Sequence, residues 1–319
     1  MNKEKTTYAT MQTKTIAKVC RAKIDDWARS VEKAGNKDIA ELIRTKTLIT
    51  GGALVSLLTG EEVNDFDIYL RDKDSAFKLA QYYVELFKTK NEKWINGKVS
   101  QFEVQDAGDR IKIIIKSAGV VAADGETTDS PTEYQYFEGT RGDQAETFLQ
   151  NLVSHAAKED KGYVPVFISD NAITISNKIQ VVIRFFGEPE DIHKNYDFIH
   201  CTNTYCSWDN TVKLTLEAME SIRTKTLFYS GSLYPICSIL RLRKFIARGW
   251  KINAGQVLKI IWQIKDLNLN DYDILREQLC GVDSAYFTEM LAILHNDKES
   301  GKTIDQTYIS NLIDIVFDK

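Results

Sequence analysis

Cysteine is scarce in this chain of 319 residues: Cys20, Cys201, Cys206, Cys237 and Cys280 are odd in number and include no Cys-x-x-Cys. That excludes a disulfide frame or a cysteine zinc site and points to reduced thiols in a cytoplasmic setting. No apolar run approaches the length needed to span a bilayer, so no membrane partner is expected. Met1 to Thr7 lacks the apolar stretch of a secretory signal, and no export is expected. The four histidines (His155, His193, His200 and His295) are scattered, which argues against a histidine metal site or triad. At most, His193 or His200 would play a minor part near a nucleotide. No internal repeat is present. A formal net charge of −4 excludes a bulk nucleic-acid binder.

What is present is concentrated in one stretch. Thr47-Leu48-Ile49-Thr50 reads as a short strand closed by Gly51-Gly52, followed by an apolar helical turn and then Asp65-Phe66-Asp67 leading into Ile68-Tyr69-Leu70. Residues two apart on a strand share a face, so Asp65 and Asp67 are expected side by side. Paired like charges repel, and a hard divalent cation with oxygen ligands is the usual reason to keep both ionised. Glycines at a helix start let backbone N–H groups approach a phosphate. A phosphate cradle beside metal-holding aspartates is the equipment of nucleotidyl transfer.

The spacing resembles the signature of the DNA polymerase beta superfamily, and more narrowly the head of bacterial-type CCA-adding enzymes and poly(A) polymerases. Their pattern runs Gly-Gly, x, Val-Arg-Asp, x, Leu-Leu-Gly, four residues, Asp-x-Asp. Gly51, Gly52, Leu58, Gly60, Asp65 and Asp67 match it without a gap, while Val55-Ser56 replaces the Arg-Asp. Two later segments extend the resemblance. Lys194 and Asp197-Phe198 follow a strand ending in Arg184, and look like the family's Arg-Arg-Asp-Phe element, which holds ribose and phosphates. Pro235 to Ile252 is similar to the family's neck segment, with Arg243 and Gly249 coinciding and Arg248 offset by one. The stretch Arg241 to Lys251 carries five basic residues and no acidic one, a stripe suited to a polyanion.

Departures accompany the match. The family reads its incoming base with a Glu-Asp and an Arg, where this chain has Leu233, Tyr234 and Cys237. None offers a paired donor and acceptor pattern, though Tyr234 is left able to stack on a base without discrimination. The position suggested for a third catalytic acid holds Gln180, a neutral amide. Glu103 and Asp106, on an earlier expected strand, are the alternatives.

The architecture expected is α+β: a nucleotidyltransferase α/β head with a small mixed sheet over residues 1–187, then an all-helical neck and body over 188–319. Helices are expected over 13–46, 74–88 and 145–157, and strands at 111–115, 163–168, 172–175 and 179–186. A flexible insertion is expected near 117–142. The resemblance implies transfer of NMP from an NTP, ATP first, to a hydroxyl acceptor, an RNA 3′ end first. It implies Mg²⁺ (or Mn²⁺) on Asp65 and Asp67, the triphosphate at Gly51 and Gly52 with Ser56 donating to a phosphate oxygen, and nucleotide or acceptor contacts from Lys194, Asp197, Arg243 and Arg248. Two other readings stay open: modification of a protein or small molecule, as in toxin-like relatives, and a nucleotide-binding module without catalysis. Oligomeric state is left open.

Overall fold

The computed structural model describes residues 3–90, 92, 99–117, 162–169, 171–279, 293–294 and 296–317. Two helices lead in, as the periodicity over 13–46 predicts: α1 (Lys3–Lys33) and α2 (Lys37–Lys46). On α1, Ile16, Cys20, Ile24, Trp27 and Val31 recur every three or four residues and all are buried, so one stripe of the helix faces the core. Each such side chain withdrawn from water stabilises the fold by roughly 1.5–3 kcal/mol.

The head follows as β1 (Thr47–Thr50), α3 (Gly52–Thr59), β2 (Phe66–Leu70) and α4 (Lys73–Lys90). A hairpin, β3 (Val99–Asp106) and β4 (Ile111–Ser117), forms a sheet of its own. Then come β5 (Pro165–Ile168), β6 (Ala172–Ile175) and β7 (Ile179–Phe186). The insertion expected near 117–142, apart from Ser117 at the end of β4, and the helix expected over 145–157 lie outside the described residues.

The principal sheet has seven strands in the order β5-β6-β7-β2-β1-β8-β9, where β8 is Thr204–Cys206 and β9 is Thr211–Lys213. It is mixed: β2 and β7 run parallel, and the other pairs are antiparallel. One face, carrying Ile49, Phe66, Ile68, Leu70, Val181 and Ile183, packs on α1, α2 and α4. The other gathers Leu48, Tyr69 and Val182 with Ile192 and Cys206, and by the two-residue period the same face presents Thr50, Asp67 and Gln180.

The expectation of a purely helical chain from residue 188 is corrected here. β8 and β9 complete the head's sheet, so that sheet does not close at residue 187. Between β7 and β8 lie α5 (Pro189–His193) and a 3₁₀ turn (Ile199–Cys201). Beyond β9 come α6 (Leu216–Thr224), a two-strand parallel ribbon of β10 (Thr226–Leu227) and β11 (Lys251–Ile252), and, between those strands, the neck helix α7 (Pro235–Ala247). Helices α8 (Ala254–Lys265), α9 (Tyr272–Leu279) and α10 (Gln306–Phe317) follow. Tyr234, Ile236 and Leu240 pack with Leu275, Leu294, Ile309 and Leu312 in a core separate from the head's. A third cluster joins α3 to the neck: Val55 lies with Phe198, Leu227, Tyr229, Trp250 and Ile260. That burial explains why an aliphatic side chain stands where the family pattern has arginine. Among the described residues no helix is long and apolar enough to cross a membrane.

Candidate active site

The site is built on a row across the sheet. Thr50 of β1 is registered with Asp67 of β2, and Asp67 with Gln180 of β7. Thr174 of β6 continues the row beyond Gln180, and Thr204 of β8 continues it beyond Thr50. Five polar side chains therefore lie abreast, with one carboxylate at the centre. Asp67 is half-buried on its strand, whereas Asp65 is exposed one residue ahead of it. β2 begins at Phe66, so the two aspartates are not both strand residues as the alternation implied. The family resemblance gave Gln180 the third-acid position, and the register sets this neutral amide directly beside Asp67. Glu103 and Asp106 lie instead on the separate hairpin sheet, where Asp106 pairs with Lys73 at 2.5 Å.

Gly51 joins β1 to α3 with φ 79° and ψ −148°, a region essentially reserved for glycine. A Cβ there would stand 3.0 Å from Asp67 Oδ2 and 3.5 Å from the Tyr196 hydroxyl. The bare backbone at the start of α3 thus faces the carboxylate directly. Gly52, by contrast, is exposed and has open space where a Cβ would go. Ser56, one turn into α3, is half-buried, and its carbonyl accepts the N–H groups of Gly60 and Glu61.

The segment after α5 closes over this row. Gly51 N–H donates to the carbonyl of Cys201 (3.1 Å). The Thr50 hydroxyl lies 2.9 Å from His193 Nε2 and 2.8 Å from the carbonyl of Asn203. Burial pushes the His193 pKa down to about 4, with Glu190 opposing, so the ring is neutral at pH 7. It can then donate to Thr50, which donates onward to Asn203. The Tyr196 hydroxyl donates to Tyr69 (3.2 Å), and its pKa is raised by burial first, then by Tyr69 and Asp67.

On the far side of Cys201 the neck arrives. Arg241 Nη1 donates to Asp197 Oδ2 at 2.8 Å, with the two side chains 23% and 13% exposed. The Cys201 thiol pKa is raised by burial first, then by Asp197 and Asp67, while Arg241 and Arg248 oppose. Two carboxylates and two guanidinium groups therefore lie near the half-buried Cys201. His200 is 1% exposed, its centroid 4.3 Å from that of Trp250 and 4.7 Å from that of Phe245. Burial pushes its pKa down to about 4, with Asp197 opposing.

Of the residues singled out by sequence, Gly51 and Asp67 are brought together, and Asp197 and Arg248 share the field at Cys201. Lys194 is exposed and pairs with Asp191 at 2.7 Å, and Arg243 lies on the exposed side of α7. Tyr234 departs from its expected stacking role. It is 8% exposed, and its hydroxyl accepts from Arg184, whose guanidinium lies 4.8 Å from the ring centroid. Cys237 is likewise structural, its S–H donating to the carbonyl of Gln278 at 2.8 Å. Sequence reasoning missed the Arg241 contact with Asp197 and the placing of the Tyr196 hydroxyl beside Gly51. The basic stripe pointed at α7, but which arginine turns inward depends on helix rotation.

A family model described as "Gabija anti-defense 2 family protein" matches residues 18–225. A curated relative, "Gabija anti-defense 2" of Bacillus phage SPbetaL7, is 20% identical over 287 residues, covering 89% of this chain and 53% of the relative. The chain thus spans about half the length of the curated relative it matches. Solved structures it resembles include CCA-adding enzymes. The Thermotoga maritima enzyme complexed with tRNA is 12% identical, covering 82% of this chain and 49% of that one, with a TM-score of 0.37. A CCA-adding enzyme in complex with CTP is 10% identical, covering 88% and 63%, with a TM-score of 0.39. Overlaps of that size carry no argument about the site.

Proposed function

The chain belongs to the Gabija anti-defense 2 family, and from that premise and the site geometry we propose that it is a metal-dependent nucleotidyltransferase whose reaction counters the Gabija defence. The observation that carries this reading is how near the Asp67 carboxylate stands to Gly51, where a Cβ would lie 3.0 Å from Oδ2. A helix start at which a side chain would collide with the carboxylate is one where backbone N–H groups and an acid can address the same phosphate. The triphosphate of an NTP, ATP first, would lie at Gly51 and Gly52, with Ser56 donating from the next turn. Lys194, Arg243 and Arg248 would contact the nucleotide or acceptor.

A divalent cation suits the donor set. Asp65 and Asp67 offer two carboxylates and Gln180 a neutral amide oxygen, and Mg²⁺ is commonly held by one or two carboxylates plus substrate phosphates. Among the described residues no three of His, Cys, Asp and Glu converge on a metal site, which leaves substrate oxygens to complete the shell. When bound, the metal would neutralise charge on the attacking and leaving oxygens. The chain's own contribution is positional: Gly51 excludes side chains from the phosphate path, and the Arg241–Asp197 pair fixes the neck against the segment carrying Tyr196. The acceptor in this reading is an RNA 3′ hydroxyl, approached past Arg248. A protein hydroxyl is the second reading, favoured by the exposed aliphatic side chains of the neck.

The test uses Mg²⁺, total RNA, crude lysate protein and each α-labelled NTP in turn, beside Asp65→Asn and Asp67→Asn. Label entering RNA only with both aspartates intact supports the first acceptor; label in protein supports the second. No incorporation and no pyrophosphate with any acceptor overturns the catalytic reading.

A further inference from the structure

Charge is distributed very unevenly along the chain. Residues 221–265 contain nine Lys or Arg and no Asp or Glu, which leaves 32 basic against 45 acidic residues in the remainder. The same segment holds six of the eight exposed large apolar side chains found among the described residues: Leu233, Ile239, Ile246, Leu258, Ile261 and Trp262. On α8 three of these are arranged as a stripe. Leu258, Ile261 and Trp262 follow helical spacing and are 46%, 52% and 55% exposed, while Ile260 is 1% exposed and anchors the opposite face. Lys265 extends the stripe by one turn and Lys259 borders it.

The chemistry of this surface selects its occupant. A polynucleotide engages phosphates through Lys and Arg and stacks its bases on aromatic rings. Leucine and isoleucine side chains add nothing to either contact, yet they make up most of the exposed apolar surface. Protein interface cores, by contrast, are enriched in aromatic residues and Arg and depleted of acidic ones, and a contiguous apolar patch ringed by charge marks such a site. Acids outside the segment pair four of its nine basic residues, Arg223 with Glu220, Lys225 with Glu61, Arg241 with Asp197 and Lys265 with Asp266, so it is Lys259, exposed at the border of the stripe, that calls for a partner of the opposite sign. We infer that the outer face of α8 docks an acidic protein surface that carries an apolar ridge, such as an amphipathic helix flanked by Asp and Glu. This surface does not depend on the head being an active transferase.

The test uses the full chain and a dye-labelled helical peptide of about 20 residues, Leu and Phe on one face and Glu on the other, followed by fluorescence anisotropy. The matched peptide with Lys for Glu, an RNA oligonucleotide and phosphatidylglycerol vesicles run beside it, and sedimentation reports self-association. The acidic peptide is expected to bind, and to bind more weakly as salt rises. Its affinity should fall at least tenfold both in an Ile261→Ser, Trp262→Ser variant and in a Lys259→Glu, Lys265→Glu variant, with the Lys peptide indifferent to all three proteins. These side chains are exposed, so both variants should retain the parent thermal midpoint, which checks their folding. No peptide binding, or binding that ignores both variants, overturns the proposal. So does loss in the Ile261/Trp262 variant of RNA binding, vesicle binding or self-association without peptide binding, since each would assign the face to another occupant.

Discussion

Replacing Gly51 by alanine imposes two separate penalties. The backbone at φ 79° and ψ −148° costs a residue bearing a Cβ about 1–3 kcal/mol. The Cβ itself would stand 3.0 Å from Asp67 Oδ2, so the carboxylate must move to regain an ordinary contact. The first penalty appears in stability and the second in chemistry, where small misplacements of a reacting group cost roughly ten- to a hundredfold in rate. Gly52→Ala is the matched control. Gly52 begins a helix and has open space at its Cβ position, so alanine there should be neutral or stabilising by up to about 1 kcal/mol. Urea denaturation gives the stabilities, and pyrophosphate release with the accepted NTP gives the rates. Gly51→Ala should lose both stability and rate, while Gly52→Ala keeps its stability. Equal stabilities for Gly51→Ala and the parent chain would refute the reasoning, because the strain would then be absent.

Two more outcomes follow from the site. His193 and His200, both held near pKa 4 by burial, lie below the ordinary histidine value, so the unfolded chain binds protons that the folded chain refuses. Their contribution is complete above about pH 6.5 and is lost as pH falls toward 4, on the order of 3 kcal/mol for each at most; a denaturation midpoint that stays level from pH 7 to 4.5 would contradict this. Gln180→Glu puts a second carboxylate in register with Asp67. It should destabilise the metal-free protein by roughly 1 kcal/mol through like-charge repulsion and enlarge the rise in melting temperature on adding Mg²⁺; an unchanged Mg²⁺ response would show that the row does not face a cation.

The parts legible in the sequence were those with a local signal. The stripe from Ile16 to Val31 spells its own helix period, and Gly51 to Asp67 carries its spacing within one short helix, one loop and the start of one strand. β8 and β9 escaped because Thr-Tyr-Cys and Thr-Val-Lys are three residues long, too short for alternation to register, and their place is set by pairing with a strand far away in sequence. Tyr234 was misjudged for a related reason. A tyrosine beside a basic helix suits base stacking, and only the tertiary position of Arg184 reveals that its hydroxyl and ring are already engaged. Gln180 was singled out by the family resemblance, but its meaning came from register, which sets the amide against Asp67.

The strand that carries the first half of the site has a history on the ribosome. β1 is hydrogen-bonded on one side to β2, which is made soon after it, and on the other to β8, where Leu48 meets Cys206 and Thr50 meets Thr204. Until the chain has been synthesised past that point, one edge of β1 has no partner, and the Thr50 hydroxyl and Gly51 N–H lack the carbonyls of Asn203 and Cys201 that fix them. An unpaired edge invites pairing with other chains. The order of synthesis thus leaves β1 with one open edge until residues 204–206 have been made, and the turn at Thr50 and Gly51 gains its hydrogen bonds to Asn203 and Cys201 only then.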